Sequence, residues 1–229
     1  MFNYKFTLEY NGADFFGSQR QDKHRTVQGE LESALSKFLK VDIESNFAGR
    51  TDAGVHAIGQ VVNFKIPFEL ELAKSNPTKL LISLNSQLPK DMVLTKVEMV
   101  AEDFHARYSA KSREYMYKIF NRSDRPVLRL DSLMWLKETI DIDKVIAKSK
   151  SFMGELDATK YSKDCEAESM SLIQRSEIIV ESKYCFKYFV KANKFYRHMV
   201  RRMVGDLLFD NPNYSAPAEG LTLIKVDYS

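Results

Sequence analysis

Two successive rounds of strand–helix alternation constrain this chain more than any other feature. Lys5 to Tyr10 alternates in polarity and stops at Asn11-Gly12, the pattern of a strand closed by a turn. Val27, Leu31, Ala34, Leu35, Phe38 and Leu39 recur at helical spacing, with Thr26 placed to cap them. Val61 to Ile66 is apolar and β-branched and stops at Pro67, which reads as a strand. Asn76-Pro77 opens a second helix through Leu80, Leu81, Leu84 and Leu88, and Met92 to Val100 reads as a third strand. The order β-α-β-α-β is then complete, and a new round begins after Ala101.

In the second round, Arg113 to Phe120 alternates as a strand and Ile142, Val145, Ile146 and Phe152 mark a helix. Leu172 to Val180 and Tyr184 to Val190 read as a hairpin, Phe195 to Leu208 as a helix and Leu221 to Tyr228 as a closing strand. The chain of 229 residues is long enough for two small α+β domains, and the restart places them at 1–101 and 102–229.

Composition excludes several classes. No apolar run approaches the length of a membrane span, and the N-terminus reads as a strand, not a signal peptide. The two cysteines, Cys165 and Cys185, provide neither a disulfide framework nor a cysteine zinc site, and free thiols suit a reducing cytoplasm. His24, His56, His105 and His198 show no ligand spacing. Gly12 to Ser18 has the spacing of a phosphate loop but puts Ser18 where lysine is required. No dinucleotide fingerprint or nucleophile elbow is present, so the expectation is chemistry without a metal or organic cofactor.

The net charge of +3 conceals segregation. Lys183 to Arg202 contains seven Lys/Arg, no acid and six aromatic residues, and Asp103 to Arg129 contains seven Lys/Arg against three acids. Asp131 to Glu181 compensates with eleven acids against seven bases. Basic residues interleaved with aromatics suit a surface that tracks phosphates and stacks bases, although most of these aromatics are expected in the core.

Between the first helix and the second strand lies Gly49-Arg50-Thr51-Asp52-Ala53-Gly54-Val55-His56, a small turn-rich loop able to hold a carboxylate at a cleft. By itself this pattern also fits an ordinary turn. The octapeptide resembles the active-site signature of the TruA family of tRNA pseudouridine synthases. Further stretches resemble that family in order: Phe104-His-Ala-Arg107 with Ser109-Ala and Arg113-Glu-Tyr115-Met-Tyr117; Asn121-Arg122 with Arg125-Pro-Val-Leu128; Lys191 to Gly205; and Ala216 to Leu221 followed by Val226-Asp-Tyr228.

The resemblance implies two ferredoxin-like (RRM-like) halves with joined antiparallel sheets and a basic cleft between them. It implies a homodimer that converts uridines 38, 39 and 40 of the tRNA anticodon stem-loop to pseudouridine. Asp52 is then the nucleophile, by attack at C1′ or C6 or through a glycal route. Desolvation would raise the pKa of such a carboxylate, and a guanidinium opposes this; the resemblance gives that role to Arg201. The resemblance makes Tyr115 the tyrosine that stacks on the target base and assists deprotonation, and Tyr117, two residues along on the same face, is the alternative core residue. Arg50 fills the space left by the extruded nucleotide. Thr51, His56, Arg107, Arg113, Arg202 and Leu221 complete the implied substrate contacts.

Three positions depart from the family pattern. Ser18 replaces the usual aromatic, Arg202 replaces the usual asparagine, and only Asp206 to Ser215 separates Gly205 from Ala216. The short link implies a reduced cleft wall. Two other classes remain in view. A tRNA-binding or tRNA-folding module without catalysis would be indifferent to Asp52, and a glycoside hydrolase would need a second carboxylate that is not evident.

Overall fold

β1 (Phe2–Tyr10) forms where alternation places it, and its inward residues Tyr4, Phe6, Leu8 and Tyr10 are all buried. The computed structural model describes residues 1–127, 132–162 and 164–229. Leu128, which ends one family-like block, and Arg129 and Asp131, which bound two charge windows, lie outside the described residues. The chain divides into two compact units: 1–111 with 225–229, and 112–224.

In the first unit, Thr26 caps α1 (Val27–Leu39) by accepting the Gly29 N–H, and the helix buries Val27, Leu31 and Leu35. β2 (Asn46–Phe47) pairs with β3 (His56–Ile66), which runs antiparallel to β1 with Tyr4 opposite Phe64. α2 (Glu71–Ser75) precedes α3 (Pro77–Asn85), where Asn76 caps and Pro77 occupies the first turn. β4 (Met92–Val100) pairs antiparallel with the other edge of β1.

A buried amide relay then fixes the segment after β4. Asn3 Nδ2 donates to the Ala101 and Phe104 carbonyls, both at 2.9 Å, and Asn63 Nδ2 donates to Asn3 Oδ1 at 2.9 Å. Asn63 Oδ1 accepts the Ala106 N–H at 2.8 Å. Tyr228 Oη donates to the Ala106 carbonyl at 2.8 Å, and its ring lies 5.0 Å from that of Phe104. Residues 104–108 are therefore held by buried partners distant in sequence.

Arg25 stacks 4.1 Å above Phe15 and grips Asp91 through two hydrogen bonds of 2.7 and 2.9 Å. Hydrogen bonding to Arg25 holds the Asp91 carboxyl below its ordinary range. A depressed carboxylate contributes stability that is complete above the unfolded pKa of about 3.9 and lost as pH falls through the lower folded value. The pair is partly exposed, so its contribution is about 1 kcal/mol or less. Asp91→Asn should therefore lower the Tm relative to the parent chain at pH 7, with the difference closing in strong acid. A difference that is independent of pH would contradict the assignment.

The second unit carries a four-stranded antiparallel path and two helices. β5 (Ser112–Asn121) pairs antiparallel with β9 (Cys185–Ala192), β9 with β8 (Met170–Val180) and β8 with β7 (Gly154–Asp157). β6 (Met134–Leu136) adds in parallel to β5. α4 (Ile142–Lys150) and α5 (Met199–Phe209) are bridged by Lys148, which bonds Asp206 at 2.8 Å and Asp210 at 2.7 Å. Ser176 Oγ donates to the Ser149 carbonyl and meets Tyr188 Oη at 2.9 Å, which ties the end of α4 to the sheet. β10 (Leu221–Asp227) gives its first four residues to the second unit and its last three to the first.

Sequence periodicity begins α5 too early. His198 adopts φ 60° and the Met199 N–H bonds back to the Tyr196 carbonyl, so the chain turns before the helix starts. The short link after Gly205 folds back tightly: a Cβ on Gly205 would lie 2.1 Å from the Tyr214 carbonyl oxygen. Gly205→Ala should cost about 1–3 kcal/mol in a denaturant titration, since backbone on both sides would have to separate. An unchanged midpoint would show that the link yields freely. Among the described residues, no helix is long and apolar enough to cross a membrane.

Candidate functional site

Each unit contributes a set of the residues singled out from sequence. In the first unit, the loop Gly49–Val55 is clamped through its backbone. The Thr51 N–H donates to Ser18 Oγ at 2.8 Å, and the Thr51 carbonyl accepts the Ser18 N–H at 3.1 Å. Gly17, at φ 89°, allows this close pairing, because a Cβ there would meet the Thr51 carbonyl at 2.9 Å. Thr51 Oγ1 shares a 2.8 Å hydrogen bond with Tyr10 Oη, and Gln60 Nε2 donates to the Gly49 carbonyl at 3.0 Å. The Val55 N–H closes a turn onto the Asp52 carbonyl at 3.2 Å, and the Gly12 N–H donates to His56 Nδ1 at 3.0 Å.

Asp52 is half-buried on this fixed turn, while Arg50 is exposed and Thr51 and His56 are buried. The backbone that carries Asp52 is thus held by β1, by the loop after it and by the start of β3. Bonds from three elements confine a turn more tightly than loop stiffness alone. Ser18, where an aromatic was expected, forms half of the clamp. The sequence marked Ser18 only as a departure from the family pattern and Tyr10 only as a strand residue, and it did not mark Gln60; their bonds to Gly49 and Thr51 were not foreseen.

Burial pushes the Tyr10 phenol up to about 12, so the hydroxyl that meets Thr51 keeps its proton further into alkaline pH than an exposed tyrosine would. Tyr10→Phe should cost about 1 kcal/mol of stability. It should also lower turnover by loosening Thr51, with little change in KM. A change in KM with constant turnover would remove Tyr10 from the account.

In the second unit, Tyr115 is buried on β5 with its ring edge-on to Phe195 at 5.3 Å. Tyr117 is fully buried, donates to the Pro217 carbonyl at 2.8 Å and rests against Gly220. Arg201 on α5 is half-buried, and its Nε donates to the Ala216 carbonyl at 2.6 Å. The Ala216 N–H returns a bond to the Arg201 carbonyl at 3.1 Å, so residue 216 is tied to both the side chain and the backbone of Arg201. Arg202 Nε is buried and has no hydrogen-bond partner among the described residues. Arg113 donates to the Asn193 carbonyl at 3.2 Å, and Leu221 is buried at the start of β10.

The basic window is partitioned by the strand period. Phe186 and Tyr188 on β9 enter the core, whereas Lys187, Phe189 and Lys191 alternate onto the other face. Arg175 lies 4.5 Å over Phe189 and pairs with Glu114 and Glu177, so part of that face is locally neutralised. In the first unit, Arg107 is exposed on the segment fixed by Asn3 and Asn63.

A family model described as tRNA pseudouridine synthase matches residues 7–109. The chain is 39% identical over 256 aligned positions to tRNA pseudouridine synthase A of Dictyoglomus thermophilum, covering 100% of both chains. It is 33% identical over 250 positions to the protein of the same name from Francisella tularensis subsp. novicida, covering 100% of this chain and 95% of that one. Among solved structures, the archaeal box H/ACA sRNP Nop10–Cbf5 complex aligns over 96% of this chain and 46% of that chain, at 10% identity and a TM-score of 0.40.

Proposed function

The chain belongs to the tRNA pseudouridine synthase A family of isomerases, and from that premise we propose that it converts uridines 38, 39 and 40 of the tRNA anticodon stem-loop to pseudouridine with Asp52 as nucleophile. The observation that supports this reading is the clamped Gly49–Val55 turn, which holds the backbone on either side of a half-buried Asp52. The reaction breaks the C1′–N1 bond and forms a C1′–C5 bond. N1 gains a proton and C5 loses one. A carboxylate that forms a covalent adduct divides this exchange into two easier steps.

The other roles follow the family resemblance. Arg201 supplies the guanidinium counter-charge to Asp52, and its bond to the Ala216 carbonyl supports a fixed guanidinium orientation. Tyr115 stacks on the target base. Arg50 occupies the stacking gap once the nucleotide has been extruded, which offsets part of a cost of a few kcal/mol. Thr51, His56, Arg107, Arg113, Arg202 and Leu221 line the bound RNA. The same reading takes each half as ferredoxin-like and the active protein as a cytoplasmic homodimer.

Loss of the C5 proton gives a direct assay. Incubating the chain with tRNA carrying [5-³H]uridine should release tritium to water in step with C1′–C5 bond formation. No release from anticodon-arm uridines, under conditions where tRNA is bound, would refute the proposal.

A further inference from the structure

The first unit contains an open groove of about 200 Å³ lined by Ser18, Gln28, Asn46, Phe47, Arg50 and Tyr108, among others. We propose that this groove holds an unpaired base of the substrate RNA, the neighbour of the uridine that reacts. The inference rests on the reading of the chain as a tRNA pseudouridine synthase and adds to it a second nucleotide subsite.

The floor of the groove is built in advance. Ser18 and Ser45 are buried, and Gln28 Nε2 donates to the Ser45 carbonyl at 3.1 Å and to Glu32 Oε1 at 2.9 Å. Ser45 donates to the same Glu32 oxygen through both its N–H and its hydroxyl, each at 2.8 Å. Gln28 Oε1 accepts the Arg20 N–H at 3.0 Å. These bonds consume the polar groups of the floor and fix its shape.

The walls add aromatic rings and side-chain amides to this floor, and the Arg107 guanidinium lies 5.9 Å from the centre of the Tyr108 ring. Tyr108 leaves 78% of its surface exposed, yet its backbone is held by the turn at His105, and the two rings lie 4.4 Å apart. Half-buried Phe47 gives a second aromatic surface, and Asn46 and Gln19 add exposed side-chain amides. Aromatic faces suit stacking on a base, and amides can both donate to and accept from its edge. Arg107, exposed and among the lining residues, offers a guanidinium suited to a backbone phosphate. The volume lies below the roughly 300–1,000 Å³ of a whole small-molecule site, so a single ring system is the fitting occupant.

Proximity selects which base. Arg50 is two residues from Asp52, a chain distance of at most about 7 Å. A nucleotide whose ribose stands at Asp52 therefore has its immediate neighbour within reach of this groove. Ser18 links the two places, because it lines the groove and also accepts the Thr51 N–H.

The test uses tRNA with a single abasic nucleotide placed on one side or the other of the target uridine. Kd and kcat/KM are measured for the parent chain and for Tyr108→Ala. One of the two abasic substitutions should weaken parent binding about tenfold, and Tyr108→Ala should weaken binding of intact tRNA by a similar factor. On that abasic tRNA, Tyr108→Ala should cost nothing further. Losses that multiply instead, or no loss with either abasic tRNA, would overturn the subsite. If Tyr108→Ala does not fold, Asn46→Ala, a change at an exposed side chain, should show the same coupling in smaller measure, and its absence would likewise overturn the proposal. Tritium release by the parent chain on intact tRNA is scored in the same series. Release without coupling removes only the groove, whereas no release removes the reading on which it rests.

Discussion

Asp52→Asn should abolish pseudouridine formation, lowering turnover by a factor on the order of 10³ or more. The substitution keeps the shape of the side chain and removes its charge and nucleophilicity. Bonds through the backbone of Gly49, Thr51 and Asp52 and through the Thr51 hydroxyl hold the loop and do not depend on the Asp52 charge, so the turn should survive. Affinity for tRNA should accordingly stay within about threefold of the parent value, since phosphate contacts supply most of it. Turnover and affinity falling together would indicate that Asp52 shapes the loop and does not perform the chemistry. Turnover that persists would exclude it as nucleophile.

Gly12→Ala should be the most damaging change outside the reacting residues. A Cβ at Gly12 would lie 2.0 Å from the Val55 carbonyl oxygen and 2.5 Å from its carbon, and both are backbone atoms that cannot rotate away. Gly12 also donates its N–H to His56 Nδ1, so the chain cannot retreat without giving up that bond. The strain should cost at least about 1–3 kcal/mol, or several degrees in Tm for a chain of this size. It should also displace the turn that carries Asp52, and a misplacement of about 1 Å can cost on the order of 10² in rate. Folded Gly12→Ala, isolated at low temperature, should therefore bind tRNA but turn it over at least about a hundredfold more slowly. Full turnover by the folded fraction would show that the Asp52 turn is not positioned through Gly12.

The sequence revealed local structure wherever local chemistry decided it. Thr26 and Asn76 cap the helices they precede, Pro77 stands in the first turn of its helix, and Met92 to Val100 is a strand over the same residues that alternation gives. Long-range bonds were not legible in this way. β3 begins at His56 and not at Val61, because the residues before Val61 are ordered by pairing with Tyr10 and by Gln60 reaching back to Gly49. β2 is two residues long and exists only through its register with β3. At the candidate site, Asp52, Arg50 and Tyr115 could be named because they lie within family-like blocks. The parts played by Tyr10, Ser18 and Gln60 could not, because each acts on Gly49–Thr51 through a bond spanning 11 to 41 residues, and although Ser18 stood out as a departure from the family pattern, no local signal joins it to Thr51.

The most direct test maps pseudouridine along complete, unmodified tRNA transcripts that carry uridine at 38, 39 or 40, with the parent chain and Asp52→Asn side by side. The account predicts modification confined to those positions with the parent chain and none with Asp52→Asn. Modification elsewhere in the tRNA, or equal yield from both proteins, would contradict it.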